Sequence, residues 1–184
     1  MTAWYVLLPA GLLTLAVLLA GCTGTAAQAP LPTQPVSFQP GQVLQAIGDV
    51  TGNGFMPAGV PRGTIDTVTF TIGLVPGIKS VNLDNLTVIY ADAVHTLTLT
   101  PVDGLTGMPG KGQWGITGFK NQPGKPNHRL DYEKQATIAV SLKDYIVPGE
   151  LFKIIVKPAE GPALTIIRVA PQPIVAGVNV LRQV

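Results

Sequence analysis

The amino-acid sequence predicts an all-β fold, an antiparallel β-sandwich preceded by an apolar N-terminal helix and a proline-rich linker. Three observations carry that reading. Several stretches alternate apolar side chains with threonine at a period of two, the spacing of a strand with one wet face. Turn pairs punctuate them: Pro76-Gly77, Pro109-Gly110, Pro123-Gly124, Pro148-Gly149 and Gly161-Pro162. No stretch after residue 43 shows a 3.6-residue period, and a parallel sheet would need crossover helices for which there is no room.

The balance of residues agrees. Of 184 residues, 46% are hydrophobic and only 12% charged, with 21 Gly and 17 Pro, which suits short strands and many turns. All twelve cations lie from Arg62 onward, mixed with nine acids, and the formal charge is +2. No basic stripe with interleaved aromatics forms, so nucleic acid is not an expected partner. The single cysteine, Cys22, excludes an internal disulfide, and the core alone must hold the fold.

Residues 1–22 read as a signal or membrane anchor. Ala3 to Gly21 carries no charge, and as a helix it would rise roughly 28 Å, close to the hydrocarbon thickness of a bilayer. Pro9 and Gly11 suit a buried core helix poorly. The run closes in Leu19-Ala20-Gly21-Cys22, which resembles a lipoprotein lipobox and makes Cys22 the candidate lipidation site. Met1-Thr2-Ala3 has no basic side chain, so two readings stay open: a lipoprotein signal whose start lies upstream, or a retained span. Residues 23–42, with Pro30, Pro32, Pro35 and Pro40 among Thr, Ala and Gln, form a semi-extended linker.

Residues 43–184 are the expected sandwich domain. In Asp66–Leu74, Val68, Phe70, Ile72 and Leu74 alternate with Thr67, Thr69, Thr71 and Gly73. Thr96–Thr100 repeats the pattern around Leu97 and Leu99, as do Ala136–Leu142 and Phe152–Val156. Val43–Val50, Leu86–Ala91, Gln113–Phe119, Ala163–Val169 and Ile174–Leu181 complete a set of about nine strands.

Several of these segments are familiar. Val68-Thr69-Phe70-Thr71, Leu74-Val75-Pro76-Gly77, Val81-Asn82-Leu83-Asp84 and Thr87-Val88-Ile89-Tyr90 resemble the globular domain of archaeal flagellins, the archaellins. Val147-Pro148-Gly149-Glu150-Leu151-Phe152-Lys153-Ile154, Val156-Lys157-Pro158, Gly161, Leu164-Thr165-Ile166, Arg168, Pro171 and Val178-Asn179-Val180-Leu181 follow the archaellin C-terminal pattern in order. The likeness covers about Val43–Val184. It implies a secreted sandwich on the outside of a helical filament, commonly glycosylated and used in swimming and adhesion. Archaellins carry a basic leader cut before a long apolar helix, whereas here prolines end any helix by about residue 30. That departure, with Cys22, fits a tethered paralogue better than a polymerising subunit.

Chemistry-bearing residues are few, and no catalytic, cofactor or metal site is expected. Asn85-Leu86-Thr87 is an N-glycosylation sequon ahead of a strand. His128, near Arg129 and Asp131, reads as a solvated loop tip, and His95 as an edge or partly buried position without a chemical role. Ser37, Ser80 and Ser141 lack a nucleophile-elbow context. Gly107–Gly112 with Lys111 lacks Walker spacing and reads as a hairpin loop. Asp84, Asp92 and Asp103 offer oxygen donors for calcium but no EF-hand spacing. Trp114 is expected in the core, with a partner for its N–H. The expected function is a non-enzymatic surface subunit, contacting sibling archaellin-like subunits or a surface-layer protein through sheet faces and edges. The alternative is an extracytoplasmic lipoprotein module that captures a solute or glycan.

Overall fold

The computed structural model describes residues 40–59, 62–122 and 127–184, so the expected anchor over 1–22 and the linker up to residue 39 lie outside the described residues. The strands are β1 (Leu44–Phe55), β2 (Thr64–Leu74), β3 (Ser80–Asn82), β4 (Thr87–Ala91), β5 (Thr96–Thr106), β6 (Gln113–Lys120), β7 (Arg129–Asp131), β8 (Gln135–Ile146), β9 (Leu151–Lys157), β10 (Leu164–Val169), β11 (Gly177–Val180) and β12 (Arg182–Gln183). Each of the nine expected strands is present, and the class is all-β. One 3₁₀ turn, Leu83–Asn85, is the helical element among the described residues.

Ten strands hydrogen-bond in the order β11-β1-β2-β8-β6-β5-β4-β9-β10-β12, and β3 pairs with β7 as a separate ribbon. The ten form two layers because strands pass from one layer to the other at both ends. The first part of β5 pairs antiparallel with β4, through Thr96–Leu99. Its second part pairs with β6, from Thr100 to Thr106. At the far end β11 pairs with β1, and β12 pairs with β10. Those two strands are one run of chain, parted only at Leu181, whose N–H donates to the Val50 carbonyl at 2.9 Å. The sheet therefore folds over at both ends into a two-layer sandwich, a device that shortens free edges.

Apolar positions of the alternating runs point between the layers. Val68, Phe70 and Ile72 of β2 join Ile138 and Val140 of β8 and Ile154 and Val156 of β9 in one continuous buried core. Tyr90 and Phe152 stack within it, ring centroids 5.9 Å apart. Trp114 lies in the same core, as expected, but its indole N–H finds no acceptor among the described residues.

The structure departs from the expected antiparallel pattern at one pair. β5 and β6 run parallel, because β5 has changed layer before it meets β6. The register slips between Pro101 and Thr106, where Gly104 and Leu105 both have positive φ (64° and 62°). Gly107–Gly112 thus joins two parallel-paired strands, and is not a hairpin loop. β1 is also longer than expected and bends at a bulge between Ile47 and Thr51. Gly48 supplies the left-handed conformation there, with φ 69°.

Candidate functional site

The β3–β7 ribbon gathers five of the polar side chains singled out in the sequence: Ser80, Asp84, His128, Arg129 and Asp131. Leu83 and Leu130 are fully buried and fasten the ribbon to the core. The Leu83 N–H donates to the His128 carbonyl at 2.7 Å, and the Asn82 side chain accepts from the Asp84 N–H at 3.0 Å, capping the 3₁₀ turn. These contacts set the Asp84 carboxylate 2.6 Å from His128 Nδ1. Beside them Arg129 donates to Ser80 Oγ at 2.6 Å and to Asp131 at 3.1 Å, and Lys134 donates to Asp131 at 2.6 Å. The Lys134 hydrogen bond holds the Asp131 carboxyl below its usual range against the opposing effect of burial, with Arg129 adding to it.

The result is an open groove of about 410 Å³ lined by Ser80, Asn82, Asp84, Asn127, His128 and Arg129. His128, expected at a solvated loop tip, is half-buried just before β7, and a carboxylate 44 positions away orients its ring. Ser80, the neighbouring hydroxyl, accepts from Arg129. An imidazole–carboxylate pair at this exposure (31% and 53%) is worth at most about 1 kcal/mol and serves to pin two loops together. Among the described residues the groove lining carries no Trp, Tyr or Phe ring of the kind that stacks on a sugar.

The remaining candidates are scattered. His95 is exposed in the β4–β5 turn. There Asp92 accepts from the N–H groups of Val94 (2.7 Å) and His95 (2.6 Å). Burial works against the Asp92 carboxylate, but these two backbone donors leave it below its usual range. Asp103 is exposed in β5, far along the chain from Asp84 and Asp92, and among the described residues no three potential metal ligands gather. Lys111 sits over the Tyr145 ring at 5.4 Å. Asn85 is exposed at the end of the 3₁₀ turn, with Thr87 exposed two residues on. Cys22 lies outside the described residues.

The outer faces of the two layers differ in chemistry, which sequence inspection missed because it depends on register. On the first layer one row runs Val180, Thr51, Thr69, Ala139, Gly115, and the next runs Val178, Asn53, Thr67, Ser141, Gln113. Neither row holds a charge. On the second layer Ile89, Ile155 and Thr165 share a row, and Ala91, Lys153 and Ile167 share the next. Leu151, Val169 and Arg182 follow, with Lys157 opposite Thr87 at the other end.

Comparison with known proteins gives a fold. No protein-family profile and no curated protein sequence matches the chain. Among solved structures, archaeal flagellin FlaB1 from Methanocaldococcus jannaschii superposes with a TM-score of 0.58 at 16% identity, over 75% of this chain and 95% of that one. The archaeal flagellum of Methanospirillum hungatei strain JF1 gives 0.51 at 16% identity, over 75% and 71%. The periplasmic stator protein FlaG from Sulfolobus acidocaldarius also matches, at 0.42 and 15% identity over 55% and 85%, too loosely to carry an argument. The described domain has the archaellin fold.

Proposed function

We propose that this protein is a non-enzymatic structural subunit of the cell surface, related to archaellin and tethered to the membrane by its N-terminal segment. One observation carries the reading: the two-layer sheet reproduces nearly the whole of a flagellin chain, in a protein whose N-terminal sequence reads as an anchor. Its partners are sibling archaellin-like subunits or a surface-layer protein, met outside the cell. The contacts are made chiefly by sheet faces, because strand crossover at both ends of the sheet leaves little open edge for main-chain pairing. Cys22 carries a lipid, and Asn85 a glycan.

The test is made in the native host. Membrane, filament and medium fractions are separated, and intact-mass measurement reads the N-terminus. Protein in the membrane fraction with a lipid mass on Cys22 supports the tethered reading. A Cys22→Ala variant that stays equally membrane-bound removes lipidation and leaves a retained span. Recovery in filaments refutes the tether and makes the chain a polymerising subunit; recovery in cytosol refutes the proposal altogether.

A further inference from the structure

The outer face of β9 and β10 combines two properties. It exposes large apolar side chains, Leu151 at 52% and Ile167 at 44%, with Ile155 half-buried in the row beyond Ile167. It also carries Lys153, Lys157 and Arg182, all exposed, and no acid occupies its rows. Apolar side chains rimmed by cations complement a surface that is anionic at its outside and apolar just beneath.

The path of the chain brings such a surface close. Gly41, where the linker enters the domain, packs on the β9–β10 turn. A Cβ on Gly41 would lie 3.7 Å from Pro162 Cδ, and one on Gly161 would lie 3.1 Å from the Gly41 carbonyl oxygen. Eighteen residues, 23–40, separate Cys22 from Gly41. A membrane tether therefore leads directly to the hairpin that bears this face. A second copy is a poor occupant, since two-fold apposition would set three cations against three.

We propose that the β9–β10 face docks on the anionic headgroups of the membrane that holds the tether, leaving the threonine-bearing face outward for partners. The proposal rests on the tethered reading, and the two fail separately in the following experiment.

The full chain is reconstituted into vesicles of phosphatidylcholine alone, or with 30% phosphatidylglycerol as a stated probe composition. Each sample is floated, then its lysines are acylated and quantified by mass spectrometry. A cation near such a surface is held by about a fivefold bias. Lys153 and Lys157 should accordingly label about fivefold more slowly on anionic than on neutral vesicles. High salt should restore labelling, while Lys111 and Lys143 stay unchanged. Ile167→Glu with Leu151→Glu should float normally and lose the protection, which separates docking from anchoring. Flotation with equal labelling on both vesicles overturns docking and leaves the tether standing. Failure to float overturns the tether and docking with it. Protection that appears equally on neutral vesicles, or grows with protein density, assigns the face to a protein neighbour and also overturns the proposal.

Discussion

Leu181 is the residue at which the last strand leaves one layer for the other, and replacing it measures how much the closure of the sheet contributes. Its side chain is 3% exposed and belongs to the core, while the adjacent Val180 is 54% exposed. Leu181→Ala removes three buried carbons and leaves a cavity between β1 and β10, which costs about 2–5 kcal/mol in well-packed interiors. Because the C-terminal residues can settle inward, about 3 kcal/mol is expected. Leu181→Pro adds a second loss. The Val50 carbonyl, now paired with the Leu181 N–H at 2.9 Å, loses its donor, worth about another 1–3 kcal/mol. Val180→Ala, one position away, should stay within about 1 kcal/mol. Urea unfolding in mild detergent reads all three, and amide exchange at Thr51–Gly54 reports whether β11 has detached from β1. If Leu181→Ala and Val180→Ala were equal within about 0.5 kcal/mol, or exchange at Thr51–Gly54 did not change, the strand would not be the fastening that the topology makes it.

Asn179 is 5% exposed; its side chain accepts from the Val175 N–H at 2.9 Å and donates to the Val175 and Gly177 carbonyls at 2.8 and 2.9 Å. Asn179→Ala leaves three backbone groups without partners and should lower stability by about 2–4 kcal/mol in urea titration. Asp131 titrates below the unfolded value because Lys134 hydrogen-bonds its carboxylate. Its contribution is therefore present above about pH 4 and lost as pH falls through the depressed value. Lys134→Met should flatten that acid loss, by under about 1 kcal/mol since the carboxylate is 37% exposed, in stability measured from pH 6 to pH 2. Asn85→Gln should remove one glycan mass from native protein while shifting the unfolding midpoint little, as the side chain is exposed; an unchanged intact mass would show the sequon unused.

Strands whose apolar residues alternate with threonine were legible because period, propensity and burial agree. β2 and β9 are of this kind. The second half of β1 was not legible. Thr51-Gly52-Asn53-Gly54 carries the signature of a turn, yet it pairs on both sides. Its glycines answer to neighbours distant in sequence: a Cβ on Gly52 would come 2.8 Å from Ile65 Cδ1, and one on Gly54 would collide with the Val175 carbonyl. Pro101 likewise masks the continuation of β5 past Thr100, because proline argues against a strand unless the strand is changing partners. At the candidate site the ribbon joins Ser80–Asn82 to Arg129–Asp131, segments too short and polar to show a period. The Asp84–His128 pair follows from that pairing and has no local signal at all.

On the proposed reading, a tethered subunit built on this sheet faces two opposed demands. It must offer surface to partners, yet at high density near a membrane it must not pair with copies of itself through open strands. Passing β5 and the C-terminal run between layers meets the second demand, since each end of the sheet is folded over by the chain that forms it. That leaves the faces to meet the first. The middle of the face of β1, β2, β8 and β6 can approach another flat surface closely, because its two central rows end in hydroxyl, amide, methyl or hydrogen, and Thr71 and Thr137 already bond to each other across it at 3.2 Å. The face of β9 and β10 cannot do so without finding countercharge for its lysines. If the proposal holds, orientation follows from chemistry: the charged face is drawn to the anionic surface at the tether, and the small-residue face is left for a partner. Exchanging the two characters, with Thr67→Lys and Thr69→Lys against Lys153→Thr and Lys157→Thr, should invert which lysines are shielded on anionic vesicles. A domain whose shielded side stays the same after that exchange would be oriented by the linker alone, and the division of labour between its faces would fall.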